Sequence, residues 1–358
     1  EHRGPDAKGY LVDPPIGFAH RRLSIVGVDS GDQPIENEDG SIVVIFNGEI
    51  YNYPRLRSEL ADSGHTFTTE TDTEVIVHAY EEYGLDFLAR LEGMFAFALW
   101  DGDAERLLLA RDPMGIKPLF GGEADDAVVF GSELPAVLAS GLDHGGLRRE
   151  AIARYFAFGF VPAPLTAFQN VERFRPGECA VVTDEGLDRM RYHRLTIRSR
   201  DPSMTDAAKG VRRRVRDAIE DRLMSDVPLG AFLSGGIDSS IVVGVMADLL
   251  DEPVRTFTVG FDEDLFDESW AAREVAEYHD TDHTEVTVTP ETVRETVPNV
   301  LDRLGEPFAD PSLVPTAVVA RETSRDVKVA LSGDGADELF AGYGKYRGEY
   351  LSRYYRAV

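Results

Sequence analysis

From about residue 205 onward, strand-length apolar runs alternate with helical stretches, and few architectures accept that rhythm. The runs are VPLGAFL, VRTFTVGF (254–261), HTEVTV (283–288) and VKVALSG (327–333). A long Arg-rich helical pattern (206–224) leads into them, one helix runs to Leu250, another covers 268–279, and two more precede Val327. Strands separated by helices pair in parallel, because each helix carries the chain back to its starting edge. A parallel sheet gathers its binding loops at the carboxyl ends of its strands. The first such junction is GAFLSGGIDSSIVVGVMADLL (230–250). There Ser234, Gly235, Gly236, Asp238, Ser239 and Ser240 crowd a turn that needs only one or two small residues.

A turn of this composition suits a phosphate chain. Successive backbone N–H groups in a Gly-rich turn form an anion nest, and the following helix adds partial positive charge. The serine hydroxyls donate to phosphate oxygens. Asp238 repels phosphate unless a cation such as Mg²⁺ lies between them. The pattern is not the Walker loop, since no Gly-Lys-Ser/Thr follows. The plain alternative is a tight turn with serine caps. LSGDGADELFAGY (331–343) repeats the theme: a strand ends in Ser332-Gly333, and acids follow at a helix start. Asp337 can join Asp238 on Mg²⁺, or Asp334, Asp337 and Glu338 merely complement a helix dipole.

The first 190 or so residues have a different texture. SIVVIF (41–46), MFAFALW (94–100), RLLLA (106–110) and AVVFG (127–131) read as strands, and TEVIVHAYEEYG (73–84) as a helix with Val75, Ile76, Ala79 and Tyr80 on one face. Continuous apolar strands imply sheets covered on both sides, hence layered sheets between helices. The polar RLTIRSRDPSMTDA (194–207) is the best linker.

Ser-Gly-Gly-Ile-Asp-Ser-Ser resembles the pyrophosphate loop of the N-type ATP pyrophosphatases, which adenylate a carboxyl or carbonyl oxygen. RGPD (3–6), HRRLSIV (20–26), FNGEIYNY (46–53), TETDTE (69–74), GMFAFALWD (93–101) and RDPMGIKPLF (111–120) together resemble the glutaminase domain of glutamine-hydrolysing asparagine synthetase. The resemblance runs over essentially the whole chain in the same domain order. It implies two α/β domains. An N-terminal nucleophile-type αββα glutaminase covers 1–195, and a parallel-sheet ATP pyrophosphatase of the adenine nucleotide α-hydrolase-like kind covers 205–358.

In the glutaminase, the resemblance implies that Arg22 grips the α-carboxylate of glutamine as a two-pronged fork and that Glu49 and Asp72 hold its ammonium. Leu23, Ser24, Ile25 and Val26 line the pocket, and the Asn47 side chain with the Gly48 N–H forms the oxyanion hole. Each has a bland alternative. Arg22 can be a surface salt bridge, Asn47-Gly48 a turn pair after a strand, and Thr71 with Glu74 a capping box. In the second domain the resemblance implies that Phe232, Leu233, Ser234, Gly235, Gly236, Asp238, Ser239, Val259, Ser332 and Gly333 hold ATP. Asp238 and Asp337 take Mg²⁺, and Asp334 lies near the adenylating centre. ATP adenylates a carboxylate, aspartate in the namesake, and ammonia from glutamine displaces AMP. Asp334 stands where the namesake often carries Glu, which points to a different carboxylate acceptor as the alternative. Further alternatives are a tRNA-modifying ATP pyrophosphatase and a glutaminase-inactive regulatory homologue.

The resemblance also implies a cysteine nucleophile ahead of Glu1, with some two to three dozen residues preceding this stretch, and further helices after Val358. The expected setting is the cytoplasm, and the expected assembly a homodimer.

Composition sets the remaining bounds. Acids number 64 against 37 bases, a formal charge of -27, which opposes nucleic-acid binding through a basic surface. No apolar run reaches the roughly 18 residues of a membrane span, and no signal peptide is evident. The single cysteine, Cys179, permits no internal disulfide and reads as inert packing.

Only five cations are lysine: Lys8, Lys117, Lys209, Lys328 and Lys345. An acidic, lysine-poor chain suits high salt, because screening removes self-repulsion. The melting temperature is therefore expected to climb between roughly 0.1 M and 2 M KCl, steeply at first, as the Debye length shortens. Sucrose, which does not screen charge, should not reproduce the steep part. A flat KCl curve, or an equal sucrose effect, would rule out salt adaptation.

Overall fold

Alternating side chains build the first unit around the two faces of one sheet. The computed structural model describes residues 1–124, 127–141, 143–198, 200–262 and 267–355. The chain divides into two units, Glu1–Pro202 with Asn299–Pro311, and Ser203–Pro298 with Ser312–Val358. The change of unit at Pro202 falls inside the polar stretch 194–207, whereas the excursion 299–311 has no counterpart in the sequence expectation.

The main sheet of the first unit runs in the order Gly186–Arg191, Glu178–Thr183, Arg106–Arg111, Gly93–Asp101, Ile42–Ile50, Ile35–Glu36, all antiparallel. Side chains alternate between faces. Ile42, Val44, Phe46, Phe95, Phe97, Leu99, Leu108 and Cys179 join one core with the helices Tyr53–Ser63 and Glu74–Tyr83. Their neighbours Val43, Ala96, Ala98, Leu107, Leu109 and Ala180 join a second core with Phe18, Leu119 and Phe174. Phe18 lies on the hairpin Ala7–Asp13/Ile16–Arg22, and Val128 and Phe130, from the small sheet of Phe120–Ala124, Ala127–Gly131 and Glu172–Arg173, pack on the same core. Helix Leu134–Ala139 packs on that small sheet through Leu134 and Val137. The layers are thus helix, sheet, sheet, helix, as the resemblance implies.

The second unit holds a parallel sheet in the order Asp282–Val288, Arg255–Phe261, Leu229–Phe232, Val329–Leu331. Ala231, Leu233 and Leu331 face a core with Val243, Met246 and Ala272 from the helices Ile237–Leu249 and Ser269–Tyr278. Phe232, Phe257 and Val259 face Val319 of helix Leu313–Thr323 on the other side. Among the described residues, no helix is long and apolar enough to cross a membrane.

Two local expectations fail. The strand expected over 41–46 continues to Ile50, so Asn47-Gly48 is no turn: Asn47 pairs with Ala96 and Gly48 with Phe95. Thr71 and Glu74 form no capping box, because the buried Glu74 carboxylate instead accepts from N–H and Oγ1 of Thr68 and Thr69, at 2.6 to 3.0 Å.

The loop after Arg106–Arg111 depends on one buried side chain. Asp112 accepts from the backbone N–H of Phe95 (3.2 Å), Met114 (3.0 Å), Ile116 (3.0 Å) and Lys117 (2.9 Å). Removing it strands four donors, each costing roughly 1–3 kcal/mol if left unpaired out of water. Asp112→Ala is expected to cost about 3 kcal/mol or more, read as a fall in the urea midpoint of the full chain. A shift under about 0.5 kcal/mol would mean that water replaces the carboxylate.

Candidate functional site

Each unit carries one cavity built from the expected residues. In the first, Arg22, Leu23, Ile25, Val26, Asn47, Gly48, Glu49 and Asp72 line a space of about 370 Å³. Ser24 does not: it is buried, and its N–H donates to Asp6 Oδ2 at 2.8 Å. Asn47 and Glu49 arrive on one face of a strand, two residues apart, and Gly48 between them meets the opposing strand. A Cβ there would lie 2.2 Å from the Met94 carbonyl oxygen, so only glycine fits.

Asp72 comes from the loop before helix Glu74–Tyr83. It is buried, and its Oδ2 accepts from the Ile50 N–H at 2.8 Å. Burial pushes its pKa up to about 6, although that hydrogen bond, the Thr71 hydroxyl and the Arg22 charge pull the other way. Arg22 is buried too, but it is not an open fork. One terminal nitrogen donates to the Val28 carbonyl (3.1 Å) and Asp32 (3.3 Å), the other to the carbonyls of Val26 (3.0 Å) and Gly27 (2.7 Å). Here the buried guanidinium holds the 26–28 loop and pairs with the exposed Asp32.

His20 and Lys117 also line this cavity and were not singled out in the sequence. His20 Nε2 lies 3.0 Å from the Phe46 carbonyl oxygen and must donate to it, which leaves Nδ1 as an acceptor. Nδ1 is buried without a partner among the described residues, and burial lowers the His20 pKa to about 4. Burial, followed by the charge of Arg3, lowers the Lys117 pKa. Both stand in motif blocks whose spacing gives no hint of their direction. Cys179 lies elsewhere, buried within the main sheet, and burial raises its thiol to about 11, which suits inert packing.

In the second unit, Phe232, Leu233, Ser234, Gly236, Asp238, Ser239, Val259, Ser332, Gly333, Asp334 and Asp337 line a cavity of about 450 Å³. Gly235 is missing from its wall: its φ is +75°, and a Cβ would fall 2.5 Å from backbone atoms of Ala271 and Ala272, so it turns the loop and does not face the cavity. Ser234 and Ser239 hydroxyls lie 3.0 Å apart, and Gly236, at the N-cap of helix Ile237–Leu249, brings no capping side chain. A Cβ on Gly333 would stand 3.0 Å from Asp238 Cβ, so the two Ser-Gly loops are packed against each other. Ser332 Oγ donates to Asp334 Oδ2 at 3.0 Å. Two carboxylates, Asp238 and Asp337, line this cavity together with hydroxyl oxygens, a donor set that suits a hard cation such as Mg²⁺.

The first unit thus carries its cavity on antiparallel layered sheets, and the second carries a loop-lined cavity at the strand ends of a parallel sheet. Comparison with known proteins shows the family. The model of a glutamine amidotransferase domain matches residues 1–193, and that of asparagine synthase residues 210–357. Asparagine synthetase [glutamine-hydrolyzing] 1 of Bacillus subtilis (strain 168) is 40% identical over 347 residues, 97% of this chain and 55% of the relative. Asparagine synthetase [glutamine-hydrolyzing] 3 of the same organism is 33% identical over 95% of this chain and 58% of its own. Amidase chyE of Penicillium rubens is 33% identical over 98% of this chain and 55% of its own. The chain therefore spans a little over half the length of these relatives, and it belongs to the glutamine-hydrolysing asparagine synthetase family.

Proposed function

We propose that the chain carries the glutaminase and ATP pyrophosphatase parts of an ATP-dependent amidotransferase that converts aspartate to asparagine. The carrying observation is the second cavity, where two Ser-Gly loops and two carboxylates meet at the strand ends. Glutamine plus water gives glutamate and ammonia. The acceptor carboxylate attacks ATP, forming the acyl-adenylate and releasing pyrophosphate, and ammonia then displaces AMP.

In the first cavity, Asp72 and Glu49 hold the ammonium of glutamine. Arg22 anchors the carboxylate by exchanging a carbonyl partner for it. Asn47 commits one amide hydrogen to Ser132 Oγ at 3.3 Å, and its second serves, with the Gly48 N–H, the developing oxyanion. In the second cavity, backbone donors from Ser234 to Ser239 hold the phosphates, while Val259 and Phe232 flank the nucleotide. Asp238 and Asp337 would hold Mg²⁺, which when bound would supply charge to offset that on the pyrophosphate. A second reading keeps the chemistry but changes the acceptor. Asp334 is one methylene shorter than Glu, and a relative of similar identity bears the name amidase.

Two outcomes test this reading. With Mg²⁺ and aspartate, the full-length protein should form AMP and pyrophosphate. Asp238→Asn should lower that turnover by orders of magnitude and spare glutamine hydrolysis. ADP as product, or equal loss of both activities, overturns the assignment; turnover only with another carboxylate selects the second reading.

The other outcome concerns pH. Asp72 must be ionised to hold an ammonium, and its free pKa is about 6. Glutamine affinity, measured by calorimetry, should stay level from about pH 8 to about pH 7 and fall about tenfold by about pH 5. Without ligand the sign reverses. The raised pKa means that ionised Asp72 costs stability as pH rises from the unfolded range to about 6, and the ligand's ammonium offsets that cost. Asp72→Asn should bind weakly at every pH; a pH profile unchanged by this substitution removes Asp72 from the site.

A further inference from the structure

We propose that Glu38, His65, His78 and Glu81 form a binding site for one divalent first-row transition ion of the Zn²⁺ class, on the helix-covered side of the first unit. One ligand atom from each lies within 4.8 Å of all the others. The His78 Nδ1 stands 3.3 Å from Glu38 Oε2 and 3.5 Å from Glu81 Oε2, and His65 Nδ1 stands 3.8 Å from that same Glu81 oxygen. A tetrahedral ion with bonds of about 2.0–2.1 Å needs ligand edges of roughly 3.3 Å. The edges at His78 already match, and His65 is the ligand that must close in.

The independent sign is His78 itself. It is fully buried, and neither ring nitrogen makes an aligned hydrogen bond among the described residues, although carboxylates of Glu38, Glu81 and Glu74 stand 3.3, 3.5 and 3.6 Å away. A buried imidazole surrounded by acids but aligned with none leaves room for a group that completes it. The surroundings are built for a cation. Glu38 Oε1 accepts from the Thr66 N–H at 2.8 Å, and Glu81 Oε1 accepts from Asn37 Nδ2 at 3.0 Å. Each carboxylate is thereby oriented by one oxygen and presents the other to His78.

Behind the histidines stand two further acids. Glu74 Oε1 lies 3.6 Å from His78 Nε2, and Glu82 Oε2 lies 3.7 Å from His65 Nε2. A carboxylate behind the outer nitrogen of an imidazole favours the proton there, and with a small closing movement it would fix that proton and leave the inner nitrogen to ligate. Four carboxylates around the two imidazoles make a negative cluster that either protons on the histidines or a bound cation would offset. Two histidine nitrogens and two carboxylate oxygens are a donor set for Zn²⁺ and its neighbours rather than for Mg²⁺ or Ca²⁺.

The chain places these groups simply. Gly64 ends the helix Tyr53–Ser63, with the N–H of His65 returning to Leu60 O at 3.1 Å, and this closure delivers His65. His78 and Glu81 are three apart on helix Glu74–Tyr83 and share a face. Glu38 comes from the turn before Ile42–Ile50.

The test uses the full chain, stripped with a chelator and titrated with Zn²⁺ in excess Mg²⁺, which occupies oxygen-only sites. One tight Zn²⁺ per chain is expected, with a rise in melting temperature. Co²⁺ in its place should show the visible bands of tetrahedral coordination. Glu81→Gln and His65→Gln alter incompletely buried side chains and should retain the fold by circular dichroism. Each should weaken Zn²⁺ affinity by about 10- to 100-fold or more, as loss of metal-site partners does. His78→Gln provides a third variant. Absence of Zn²⁺ binding, or equal affinity in the first two variants and the parent, overturns the site. So does a melting temperature that follows pH through the histidine range and ignores metal, which would show that protons alone hold the cluster.

Discussion

The close approach of Ile42–Ile50 and Gly93–Asp101 is the constraint on which the first unit depends. Two glycines make it possible: a Cβ on Gly48 would meet Met94 O, and one on Gly93 would meet Glu49 O, each at 2.2 Å. Because neither carries a side chain, the pairing continues to Ile50 rather than splaying after Phe46. Strand alternation then decides where chemistry can go. Phe46 and Ile50 remain with the helix-covered core, while Asn47 and Glu49 continue the row of Val43 and Ile45 on the other face. The cavity opens where that row runs out of apolar residues. The Ile50 N–H holds Asp72 at its rim, so a backbone group of the same strand orients the buried carboxylate.

The second unit reaches its cavity by topology. After Leu229–Phe232 the chain adds strands on one side, Arg255–Phe261 and then Asp282–Val288, and returns to place Val329–Leu331 on the other. The loops leaving Phe232 and Leu331 therefore diverge from adjacent strands, and a crevice must form between them. Gly333 lets the second loop lie on Asp238, which narrows that crevice to one cavity.

Legibility followed the physics. Strand alternation and the helical face of Val75, Ile76, Ala79 and Tyr80 are periodic, so they were readable, and the paired motif blocks pointed to both cavities. Single-residue directions were not. Glu74 sits where a capping box would put it, but a buried carboxylate takes the nearest donors, and those belong to Thr68 and Thr69. Arg22 stood in the right block, yet three of its partners are carbonyls four to six residues ahead and the fourth is Asp32, a loop geometry that no spacing encodes. Gly235 and Ser24 were counted as lining residues because they are contiguous with ones that are. His20, Lys117, His65 and His78 were passed over, since a lone histidine or lysine carries no pattern. The excursion 299–311 follows Pro298 inside the helix Pro290–Leu301, and nothing in its composition distinguishes it from its neighbours.

The two cavities differ most in charge, and that difference explains their construction. Arg3, Arg21, Arg22 and Lys117 stand among the residues lining the first, beside Glu49 and Asp72, so on the proposed reading a substrate carboxylate would meet side-chain cations there. Among the described residues, those lining the second include Asp238, Glu268, Asp334 and Asp337 but no Arg, Lys or His. Like charges about 4 Å apart repel by roughly 1 kcal/mol in bulk water and about 4 kcal/mol near a protein surface. On the proposed reading, a polyphosphate entering this wall of acids finds no charged side chain to attract it among the described lining residues. The lining hydroxyls, backbone N–H groups and a cation that arrives with it would supply the attraction. On that reading the Ser-Gly turn and the helix start at Gly236 would supply the backbone donors, and the lining carboxylates would select the cation. In that light the acids of the cavity are the reason that nucleotide and divalent ion would have to bind together.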